Sequence, residues 1–172
     1  MITACGVDPG MHGAIAVIRP DGTAIAFEMP GTPKELARLF IDRLLPMKID
    51  HAIIEGLHAR PGNGSISTFK LARNCGLLIG MMELSGISYE EMPPRSWQKA
   101  LGVVARHKPP KVHGALINYE PEESYGQFKK RLMGIAVKLF PRMEVNLTVC
   151  DALLIAETCR RMNSGYLGRS IV

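Results

Sequence analysis

The chain has 172 residues, a length that suits one domain built on one core. Hydrophobic residues make up 47% and charged residues 22%, values of a globular chain that exclude a disordered or fibrous protein. The net charge of +5 is unevenly spread: residues 1–94 carry −2 and residues 95–172 carry +7, which suits a face for a polyanion or a solvated basic surface.

Residues 2–7 are apolar and read as a strand that the turn residues Asp8-Pro9-Gly10 end. Residues 13–18 and 23–29 read as two more strands, joined by Pro20-Asp21-Gly22. Tight turns between consecutive strands predict an antiparallel meander. Thr32-Pro33-Lys34-Glu35 then opens a helix, with threonine as N-cap and proline in the first turn. Leu36, Leu39, Phe40 and Leu44 continue it at helical spacing until Pro46. Residues 50–55 form the next strand, ending in Glu55-Gly56, and the run RPGNGS at 60–65 reads as a flexible loop. A long helix over about 66–84 follows. A strand at 87–92 runs into Pro93-Pro94 and a short helix whose Trp97 is expected to anchor the core. Residues 105–128 are polar and proline-bearing and are expected to form a long mobile loop. Two helices, near 128–140 and 148–161, complete an α/β domain with a mixed sheet.

No apolar run is long enough to span a bilayer. No lysine or arginine precedes Arg19, so the N-terminus does not read as a signal peptide. The cysteines (Cys5, Cys75, Cys150, Cys159) are scattered through apolar segments, and the histidines are dispersed. Reduced thiols, a cytoplasmic location and no zinc site are expected. Aromatic residues, at 6%, are too few for a platform that stacks single-stranded bases.

Three carboxylates stand out. Asp8 ends the first strand, Glu55 ends the apolar strand Ala52-Ile53-Ile54, and Asp151 lies inside the apolar run 149–155. Taken singly, each has an ordinary reading: a turn aspartate, a strand-end glutamate, and a capping box of Thr148 with Asp151. Capping does not explain the apolar neighbours of Asp151, which predict a helix buried on most sides. Two strand ends and one helix start can converge at the carboxyl edge of a sheet, where ligands bind in open α/β folds. Clustered carboxylates repel unless a cation lies between them, and oxygen-only ligands favour Mg²⁺ or Mn²⁺. Two such ions about 4 Å apart suit phosphodiester cleavage.

Gly6-Val7-Asp8-Pro9-Gly10 with Gly13, the strand end Ile53-Ile54-Glu55, and Asp151-Ala152-Leu153 with Ala156 resemble the RuvC-type Holliday junction resolvases of the ribonuclease H-like superfamily. The resemblance runs loosely from Ile2 to about Arg161, and its divergent motifs point to a phage-encoded member. It implies one nuclease domain over residues 1–172 with a mixed five-stranded sheet flanked by helices. It further implies a homodimer that nicks four-way or branched DNA with two Mg²⁺ ions, in the cytoplasm of a bacterial or phage-infected cell, during recombination or repair. Asp8, Glu55 and Asp151 match the metal-binding carboxylates. One departure is Thr148, which stands where the family carries a fourth, acidic or histidine, ligand; a hydroxyl is a poorer ligand for Mg²⁺. Glu144 and Asn146 belong to the approach to that helix. Glu157 lies about 240° farther round the helix than Asp151 and is expected to pair with Arg160 or Arg161.

The family's active-site lysine corresponds to Lys129 or Lys130, between which spacing does not choose. Lys129-Lys130-Arg131 also reads as a phosphate-binding or solvated face. Lys99, Arg106, Lys108, Lys111, Arg131 and, from the loop after Glu55, Arg60 are candidate contacts to DNA phosphates. Ala72, Gly76 and Gly80 form a stripe of small residues that suits either a dimer seam or packing against the protein's own sheet. The expected activity is that of a metal-dependent, structure-specific endodeoxyribonuclease. The competing readings are a junction-binding protein without activity and an actin-like phosphotransferase, which also begins with a strand and Asp-x-Gly but needs a duplicated half.

Overall fold

The computed structural model describes residues 1–56, 64–103 and 123–164. Its strands are β1 (Ala4–Asp8), β2 (Ala14–Ile18), β3 (Ala24–Glu28), β4 (His51–Glu55) and β5 (Tyr89–Met92), in the order β3-β2-β1-β4-β5. β1, β2 and β3 pair antiparallel, whereas β4 runs parallel to both β1 and β5. The meander and the mixed five-stranded sheet are those expected from the sequence.

Successive side chains of a strand point to opposite faces, so the alternation along β1, β2 and β4 decides what covers each side. One face presents Cys5, Val7, Ile15, Val17, Ala52 and Ile54. Against it pack Leu36, Phe40 and Leu44 of the first helical segment, and Leu78 and Met82 of α2 (Ser65–Leu84). The other face carries smaller residues, including Ala4, Gly6, Ala14 and Ala16, and takes α5 (Cys150–Asn163). Ten consecutive residues of α5, from Cys150 to Cys159, are buried, because α3 (Pro94–Ala100) and α4 (Tyr125–Leu139) cover its outer side. Three layers result.

Three local expectations need correction. The first helix is not uniform: α1 (Pro33–Leu39) widens into a π-helical turn at Phe40–Leu44 and tightens into a 3₁₀ turn at Leu45–Met47. Its start is as expected, with Thr32 and Glu35 capping each other reciprocally. The helix expected from Phe128 begins earlier, because Ser124 and Gln127 form a capping box ahead of it. Thr148 does not cap α5. Asn146 Oδ1 instead accepts from the N–H groups of Thr148 and Val149, at 2.9 and 3.0 Å, and the helix starts at Cys150. An asparagine two residues ahead offers a better-placed acceptor than the threonine hydroxyl. The expected loops at 60–65 and 105–128 fall mainly outside the described residues. All four cysteines are free thiols, and no helix among the described residues is long and apolar enough to cross a membrane.

Candidate active site

The register places the carboxylates. Val7 pairs with Ile54 in the parallel β1–β4 ladder, so Asp8 and Glu55 leave the sheet side by side at its carboxyl edge. Asp151 reaches that edge from the first turn of α5, which crosses β1, β2 and β4. Gly6 makes this crossing possible: a Cβ there would lie 2.1 Å from Ala156 N and 2.3 Å from Ala152 O, so only glycine lets helix and strand backbones meet. The turn after Asp8 is similarly tight, since a Cβ on Gly13 would lie 2.2 Å from the Asp8 carbonyl oxygen.

Asp8 and Glu55 each have one oxygen engaged by the protein, whereas both oxygens of Asp151 are engaged. Asp8 Oδ1 accepts from the Gly10 N–H at 3.0 Å. Glu55 Oε1 accepts from the indole Nε1–H of the fully buried Trp97, also at 3.0 Å. Asp151 Oδ2 takes an ion pair and hydrogen bond from Lys129 Nζ, while its Oδ1 faces the Cys150 thiol at 3.3 Å. Pro9 is tied down from the other side of the sheet by Asn74, whose amide donates to its carbonyl at 2.8 Å.

The electrostatics are those of a crowded anionic site. Burial raises the pKa of Asp8, and Asp151 raises it further, against the Gly10 hydrogen bond and the Lys129 charge. Burial, with the Asp8 charge next, lifts Glu55 from its ordinary 4.5 to about 7, although the Trp97 hydrogen bond opposes the rise. Burial alone would lower the pKa of Lys129, yet Asp151 outweighs it and holds the ammonium above its usual range. The Cys150 thiol, buried and beside Asp151, is pushed up to about 12 and stays protonated.

The two candidate lysines separate. Lys129 meets Asp151, whereas Lys130, the next residue of α4, is solvent-exposed. Arg131 engages Glu123 through Nε and Nη2, each at 2.9 Å, and stacks on Phe128. Lys99 is exposed at the end of α3. Arg60, Arg106, Lys108 and Lys111 lie outside the described residues. Thr148 is half-buried and Glu144 exposed, and neither is hydrogen-bonded through its side chain among the described residues. Glu157 is buried and binds both Arg160 and Arg161, at 2.8 and 2.7 Å, rather than one of them. Two residues were missed as site neighbours. Trp97 carried only a packing signal, because its contact to Glu55 depends on α3 folding back from β5 beside β4. Cys150 read simply as an apolar neighbour of Asp151.

The donor chemistry fits a hard divalent cation: all three acidic groups offer oxygen, and no hydrogen bond from the described residues reaches Asp8 Oδ2 or Glu55 Oε2. Mutual repulsion within the cluster gives such a cation an electrostatic driving force. Among the described residues, however, no three Asp, Glu, His or Cys side chains close on one point as the ligands of one ion do. Among the described residues Lys129 brings a positive charge directly onto this cluster.

A meander continued by two parallel strands, with a helix bringing an aspartate over the central strand end, defines the ribonuclease H-like fold. Within that class the chain is similar to RuvC. It matches Thermus thermophilus RuvC in complex with a Holliday junction substrate with a TM-score of 0.59 and 13% identity, over 96% of this chain and 98% of that one. A second Thermus thermophilus RuvC structure matches with a TM-score of 0.54 and 16% identity, over 94% and 96% of the two chains. At such identities the likeness is one of fold. No protein-family model matches the sequence, and no curated protein does.

Proposed function

We propose that the chain is a single nuclease domain, residues 1–172, that nicks four-way or branched DNA by hydrolysing a phosphodiester bond. The observation that carries this reading is the meeting of Asp8, Glu55 and Asp151 with Lys129 at one sheet edge. The fold is shared with a RuvC bound to a Holliday junction substrate. The three carboxylates would hold Mg²⁺ or Mn²⁺, two ions in the full site, with Thr148 at the position of the fourth ligand. Bound there, the metal would activate water and stabilise the leaving oxygen. Lys129, kept protonated by Asp151, balances charge that develops on the scissile phosphate. Lys99, Arg131 and, outside the described residues, Arg60, Arg106, Lys108 and Lys111 would bind the DNA backbone.

Paired nicks across a four-way junction require two sites related by a two-fold axis, so the working unit is a homodimer. Support comes from α2: among the described residues an added Cβ on Gly76 or Gly80 would meet nothing within 4 Å, so these two positions do not pack on the protein's own sheet. Phe69, on the same side of the helix, is 69% exposed, and Ile66 at its edge is 72% exposed.

A second reading, a junction-binding protein that does not cut, is favoured by one observation: the Lys129–Asp151 pair already neutralises part of the cluster. A labelled four-way junction incubated with Mg²⁺ separates the two. Wild type should release paired nicks, and Asp8→Asn should bind the junction at least as tightly without nicking it. Binding without nicking by the wild type would favour the second reading, and nicking by Asp8→Asn would refute the proposed role of the carboxylates.

A further inference from the structure

Trp97 has no part in binding DNA or in shaping the surface; its indole is wholly buried among Leu101, Leu132, Leu154 and Ile155. A tryptophan in such a place needs a partner for its one N–H. That partner is Glu55 Oε1, at 3.0 Å, and among the described residues it is the one hydrogen bond the Glu55 side chain accepts. The backbone that carries the indole is held from two sides. The Trp97 carbonyl accepts from Thr158 Oγ1 of α5 at 3.5 Å, and the backbone leading into α3 is fixed by the Gly56 N–H on the Met92 carbonyl at 2.8 Å. A glutamate side chain has three rotatable bonds, and a rigid donor at one oxygen removes most of that freedom.

We propose that Trp97 is a positioning residue: its indole N–H holds Glu55 by Oε1, so that Glu55 meets a divalent cation as a one-oxygen ligand through Oε2. The inference rests on the cation reading above and deepens it. Groups that orient a ligand rather than touch the metal typically change metal affinity about 10–100-fold when lost. Trp97 is also the chain's single tryptophan, so its fluorescence reports on this one contact without labelling.

Mn²⁺ binding to the full-length protein, read from the electron paramagnetic resonance signal of free Mn²⁺, provides the test. Trp97→Phe keeps an aromatic filler and removes the N–H; its Mn²⁺ dissociation constant should rise about 10-fold. At saturating Mn²⁺ its junction nicking should return to within about 3-fold of wild type, the pattern of lost ligand positioning rather than lost chemistry. In the wild type, Trp97 emission should change along the same Mn²⁺ titration. Equal affinity in Trp97→Phe and wild type would overturn the proposal while leaving the cation reading intact. Absence of Mn²⁺ binding by the wild type would overturn both. Should Trp97→Phe fail to fold, the wild-type emission decides: a change that tracks bound Mn²⁺ supports the proposal, and constant emission overturns it.

Discussion

Substituting Gly6 by alanine should be among the most damaging single-methyl additions in this protein. The new Cβ would stand 2.1 Å from Ala156 N, 2.3 Å from Ala152 O and 2.8 Å from Ala156 Cα. All three are backbone atoms, so no side-chain rotation relieves the contact. Restoring ordinary separations of about 3.5 Å requires α5 to retreat from β1 by roughly 1.4 Å. Overpacking of a core costs about 1–3 kcal/mol, and backbone against backbone belongs at or above the upper end. Because Ala152 follows Asp151, the retreat carries that carboxylate away from Asp8 and Glu55, and activity should fall along with stability. Urea unfolding monitored by circular dichroism gives the first quantity, and junction nicking at saturating Mg²⁺ gives the second. Gly134→Ala is the matched control: among the described residues its Cβ would meet no atom within 4 Å, and it sits inside α4, away from the small-residue stripe. There alanine should stabilise by up to about 1 kcal/mol. A loss below about 1 kcal/mol for Gly6→Ala would mean that α5 does not rest on β1 as described.

Three further predictions concern titration, capping and assembly. Without divalent cations, Glu55 is raised from 4.5 to about 7, so the folded state keeps a proton that the unfolded chain has lost between those values. Stability should therefore fall as pH rises through that window, by about 2–3 kcal/mol. Glu55→Gln should remove most of that fall in urea unfolding compared at about pH 5 and about pH 8, and an unchanged slope would show that Glu55 is not the group responsible. Asn146→Ala should cost about 1 kcal/mol through the lost cap of α5, whereas Thr148→Ala should cost a few tenths; equal losses would restore a capping role to Thr148. Gly80→Leu should leave the protomer's stability nearly unchanged and shift sedimentation from dimer to monomer, and an unchanged dimer would move the seam to another surface.

Much of the fold is determined by short-range chemistry that the sequence carries openly. Asp8-Pro9-Gly10 and Pro20-Asp21-Gly22 dictate tight turns, so the meander is legible from local residues alone. The run 149–155, apolar but for Asp151, already requires a buried helix with a carboxylate in it. The sequence likewise isolates Asp8, Glu55 and Asp151, because charges at the ends of apolar segments are conspicuous against their neighbours. What it leaves open are choices that depend on distance between remote segments. Lys129 and Lys130 are equivalent by spacing, and only the angle at which α4 lies on α5 sends one to Asp151 and the other to solvent. Trp97 reads as packing until α3 folds back and its N–H meets Glu55, 42 residues away. Thr148 reads as the cap of α5, and the approach path of the chain gives the capping contacts to Asn146 instead. Local propensity acts over a few residues, while these partners are set by how whole elements pack, so only the tertiary structure brings them together.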